Sequence, residues 1–111
     1  MSLFDLMLME DVELPSDASP RDRALAFHAA NPAVYLELRR LAFIMLEHHK
    51  HFGIATLFEK MRWEWMVRTD DAAGFKLNNS YRATYARMLA ANEPELANVF
   101  STRTIRTERD D

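Results

Sequence analysis

The chain has 111 residues, 49% hydrophobic and 28% charged, with a formal net charge of -3, enough for one packed core and too short for two independent ones. It contains no cysteine, which excludes disulfides, thiol catalysis and thiolate zinc sites and points to a reducing compartment. Only two glycines and four prolines occur, so the turns of an all-β fold and the glycine-rich loops that cradle phosphates or dinucleotides are missing, and helices are expected.

Residues 1–8 read Met-Ser-Leu-Phe-Asp-Leu-Met-Leu, with no basic start and no small-residue cleavage site, so no secretory signal is expected. Leu3, Leu6 and Met7, with Phe4 beside them, line one side of a helical turn and offer apolar surface to the core or to a protein partner. Residues 10–18 have no sustained period and contain Pro15, and are expected to be a linker. The charge is uneven: residues 1–20 hold five acids and no base and residues 108–111 three acids and one arginine, leaving about +4 on residues 21–107. The expected division is an acidic N-terminal segment and linker over 1–18, one helical domain over 19–107, and an acidic tail over 108–111.

Ser19 before Pro20, with Asp22 near the positive helix end, predicts a helix over about 20–30. Asn31-Pro32 repeats the same start signal. The second helix carries Val34, Tyr35, Leu38, Leu41, Ala42, Met45 and Leu46 at the 3.6-residue period, widened by Phe43 and Ile44, and is expected to be the central buried helix. Its end, Glu47 to Gly53, places basic residues at the negative helix terminus, and Gly53 can take a left-handed cap. A third helix is predicted from Ile54 to Val67 on the spacing of Ile54, Leu57, Phe58, Met61 and Trp65. Residues 69–74 form a loop, and 75–77 are long enough only for a short strand. Asn78, Asn79 and Ser80 cap a fourth helix to about Ala91, on which Tyr81, Tyr85, Met88 and Leu89 line up. One further turn starts at Pro94. The β-branched content of 100–106 predicts a short strand that can pair with 75–77. No apolar run approaches the length of a membrane span.

Four groups of residues can carry chemistry. Glu47, His48, His49 and His51 include pairs three and four apart, the spacing of one edge of a metal site. No second histidine pair completes such a site, since His28 is the only other histidine, and the cluster reads as exposed histidines at a helix end, so no metal is expected. The body's carboxylates are scattered singly, which argues against general acid–base catalysis; no enzyme and no cofactor are expected. Trp63 and Trp65, two apart, point about 200° from each other on a helix. Trp65 continues the core stripe, while Trp63 belongs at a boundary or an interface; a second core packed against the N-terminal segment would serve it equally. Finally, Asn79, Ser80, Arg82 and Arg87 project from the start and outer face of the fourth helix, and Arg103 and Arg106 lie on the strand after it. These are side chains that reach phosphates and base edges, in the layout of a helix-turn-helix with a wing; a solvated charged face would look the same.

The string Phe27-His-Ala-Ala-Asn-Pro32, Phe52-Gly-Ile54, Leu57-Phe-Glu59, Arg62-Trp63, Phe75-Lys-Leu-Asn-Asn79, Tyr81-Arg82, Tyr85-Ala-Arg87, Pro94, Leu96 and Phe100 resembles a family of small proteins encoded by bacteriophages and prophages. The resemblance covers about residues 26–106. It implies a mobile-element origin, a place in the cytoplasm of a bacterial host cell, and one of two roles common among small phage proteins: regulating transcription through DNA, or binding and disabling a host defence protein. The acidic extension Met1 to Ser19 departs from the pattern and can act as a protein-binding arm or a mimic of nucleic-acid charge.

The expected fold is mainly α: a compact, winged-helix-like helical domain with a short two-stranded hairpin or ribbon. The first functional reading is a DNA-binding regulatory module contacting nucleic acid through Asn79, Ser80, Arg82, Arg87 and Arg103. The alternative is a non-enzymatic protein-binding inhibitor or accessory factor, for example of a host defence system, acting through Leu3, Phe4, Leu6 and Trp63. Partners are accordingly DNA or a host protein, with no membrane. A homodimer is compatible with the apolar surface of Trp63 and the Met-rich N-terminus.

Overall fold

The structure, a computed structural model, describes residues 9–69 and 74–100. Leu3, Phe4, Leu6, Arg103 and Arg106 lie outside these residues, as do all but the first residue of the strand expected over 100–106. Four helices carry the fold: α1 Pro20–Ala30, α2 Pro32–Leu46, α3 Ile54–Thr69 and α4 Arg82–Asn92, with single 3₁₀ turns at Asn79–Tyr81 and Pro94–Leu96. No helix among the described residues is long and apolar enough to cross a membrane.

Local chemistry explains the starts. Ser19 accepts the Asp22 amide at 3.0 Å with Pro20 in the first turn, and Asn78 accepts the Ser80 amide at 2.8 Å ahead of α4, each satisfying a donor that has no partner within its helix. Asn31 behaves differently. Its backbone separates α1 from α2, but its side chain does not cap α2. Its amide instead donates to the carbonyls of Glu10 at 2.8 Å and Phe27 at 3.0 Å, and its oxygen accepts the Glu10 amide at 2.7 Å. A buried asparagine thus holds the backbone of the stretch expected to be a linker, and Met9, just before it, is buried in the core.

The four helices pack in a closed order, α1 on α2, α2 on α3, α3 on α4 and α4 back on α1. The core is shared among them: Ala24 and Phe27 from α1, Val34 and Leu38 from α2, Leu57, Phe58 and Met61 from α3, Tyr85 and Leu89 from α4, and Leu96 from the last turn. The stripe read on α2 is buried through Ala42, while Met45 and Leu46 are half-buried and Ile44 is exposed.

Two local expectations are corrected. The second helix stops at Leu46 through bonds from the His48 and His49 amides to the Met45 carbonyl, several residues before Gly53, which is not left-handed. No strand forms among the described residues: 75–78 are irregular, and Phe100 makes an isolated parallel bridge to Phe52, not to 75–77. The rings of Phe52 and Phe100 meet edge-to-face at 5.8 Å, and His51 Nδ1 lies 3.1 Å from the Asn98 carbonyl. This pins the end of the described chain against the α2–α3 connection.

Candidate interaction surface

Helix α3 places Ile54, Leu57, Phe58, Met61 and Trp65 against the core. At about 100° per residue, Trp63 points away from that side. The two tryptophans accordingly differ: Trp65 is 3% exposed and Trp63 is 67% exposed. Trp65 is held by Phe75, 6.2 Å away, and Phe75 in turn lies under the Arg62 guanidinium at 4.9 Å.

Trp63 does not stand alone. Met66 and Val67, three and four residues on, are 46% and 62% exposed, so three large apolar side chains adjoin on the outer face of α3. N-terminal to them runs an open groove of about 760 Å³ bordered by Ala55, Thr56, Glu59, Lys60, Trp63 and Glu64. The sequence pattern singled out Trp63 but not Met66 or Val67; the signal was their helical spacing from Trp63 on the side opposite the core stripe. The other exposed large apolar residues, Leu25, Leu36 and Ile44, belong to α1 and α2.

A smaller hollow of about 390 Å³ lies beside α2, bordered by Arg39, Arg40, Phe43, Ile44, Glu47 and Glu95. Its cations are engaged. Arg39 pairs with Glu93 at 2.9 Å and stacks over Phe43 at 4.9 Å. Arg40 grips both oxygens of Glu37, one at 2.9 Å through Nε, and approaches Glu64 at 3.7 Å. Glu37 is fully buried and pairs within α2, while the contact from Arg40 to Glu64 reaches across to α3. Hydrogen bonding to Glu37 and to Glu93 raises the already high pKa values of Arg40 and Arg39.

The residues expected to meet nucleic acid are partly assembled. Asn79, Ser80 and Arg82 are exposed at the start of α4. Arg82 Nε donates to the Asn79 carbonyl at 3.0 Å, and Arg62, missed in the sequence, reaches the Asn79 side chain at 3.2 Å. Arg87, five residues after Arg82, is rotated about 140° from it around α4, so the two do not share a face.

The histidines also disperse: His48 and His49 lie on the turn after α2 and His51 turns to Asn98. No group of three metal-capable side chains occurs among the described residues. His28 is half-buried, beside Tyr35 at 5.5 Å and Tyr85 at 6.0 Å. Burial lowers its pKa and raises that of the Tyr85 phenol.

No family model, curated protein or solved structure matches the chain.

Proposed function

We propose that the chain is a protein-docking module, a non-enzymatic accessory or inhibitory factor whose working surface is the outer face of α3. The observation that carries this reading is the exposure of Trp63 together with Met66 and Val67 beside an open groove. Adjoining exposed apolar side chains mark interaction sites, and tryptophan is among the residues that contribute most at protein interfaces. Among the described residues Trp63 takes no part in the core, and its ring faces outward. The resemblance to phage- and prophage-encoded proteins agrees with a factor of this kind in a bacterial cytoplasm.

The test is photo-crosslinking from Val67. A benzophenone side chain at that position is expected to capture protein, the same group at exposed Arg21 is not, and Trp63→Ala is expected to remove the Val67 product. Because Trp63 is solvent-facing, that substitution should shift unfolding free energy by no more than about 0.5 kcal/mol. Capture from Val67 that survives Trp63→Ala, or no capture at all, overturns the reading.

DNA binding is a second reading, favoured by the cluster of Arg62, Asn79, Ser80 and Arg82 at the start of α4. Three observations weigh against giving it first place. Bases and acids balance among the described residues. Residues 70–81 separate α3 from α4, where a helix-turn-helix has about three or four residues. Any wing would have to come from 101–106, including Arg103, outside the described chain. Fluorescence anisotropy at two salt concentrations discriminates: affinity and salt slope that fall in an Arg82→Ala, Arg87→Ala double variant support DNA contact, and an unchanged slope discards it.

A further inference from the structure

We draw no further inference here: the strongest candidate, the exposed apolar face of α3 around Trp63, Met66 and Val67, is already the docking surface proposed above, and nothing in the structure shows what covers it.

Discussion

Tyr85 and His28 carry the two buried side-chain atoms, among the described residues, that find no hydrogen-bond partner: the phenol oxygen and Nδ1. Tyr85 is fully buried against Phe58 and His28, so its hydroxyl is desolvated without compensation. Tyr85→Phe should therefore leave stability unchanged or raise it, by up to about 1–3 kcal/mol, as read from urea midpoints. His28 gives the opposite kind of prediction. Its pKa in the folded chain is lowered by burial, so the unfolded chain takes up the proton first as pH falls. The stability associated with a neutral His28 is complete above the unfolded value of about 6.5 and is lost as pH drops through the lower folded value. Urea midpoints should fall between about pH 7.5 and pH 5.5, and His28→Gln should flatten that fall. Residue-scale features were legible in the sequence where both partners are close along the chain. Ser19 capping Asp22 needs only three residues. Asn31 gripping Glu10 spans 21 residues, and no local signal distinguishes it from an ordinary helix cap.

Helix α2 was recognisable from its apolar period, yet the same period hid Glu37, an acid within the buried stripe whose partner Arg40 lies three residues on. An i,i+3 pair on a helix usually reads as a solvated ion pair. Here packing closes over the carboxylate and leaves the arginine at the surface. Removing a partner from a buried pair costs about 3–5 kcal/mol; because the Arg40 side chain is 49% exposed, Arg40→Ala should cost nearer about 2–3 kcal/mol. Replacing Glu37 and Arg40 together by leucine should recover most of the loss, measured as a double-mutant cycle in urea. In α3, the opposed directions of Trp63 and Trp65 followed from the helix turn alone. The expected pairing of Phe100 with 75–77 was read from β-branched content, which describes only a local preference, whereas Phe100 is placed by Phe52, a residue far away in sequence.

At the scale of the whole molecule, the chain closes on itself at both ends of its described length. Phe100 rests on Phe52, and Met9 enters the core with its sulfur accepting the Lys76 amide at 3.3 Å. The missing period and the proline of 10–18 suggested a linker because such a pattern says nothing of Met9 and Glu10 being held from 21 to 67 residues away. Truncation makes this measurable. Relative to a chain without residues 1–8, removing Met9 and Glu10 as well takes away a buried Met and the bonds to Asn31 and should destabilise by about 3 kcal/mol or more, followed by thermal melting. Two truncations that melt alike would contradict the contribution of Met9 and Glu10.

In the proposed reading, folding and docking fall on opposite sides of α3, with buried Trp65 on one and exposed Trp63 on the other. The most direct test is the fluorescence of a Trp65→Phe chain, in which Trp63 is the sole tryptophan, followed with acrylamide quenching over a wide range of protein concentration. The account predicts solvent-like emission and free quenching at high dilution. Emission that is blue-shifted and shielded at every dilution would contradict it, because Trp63 would then be covered within its own chain.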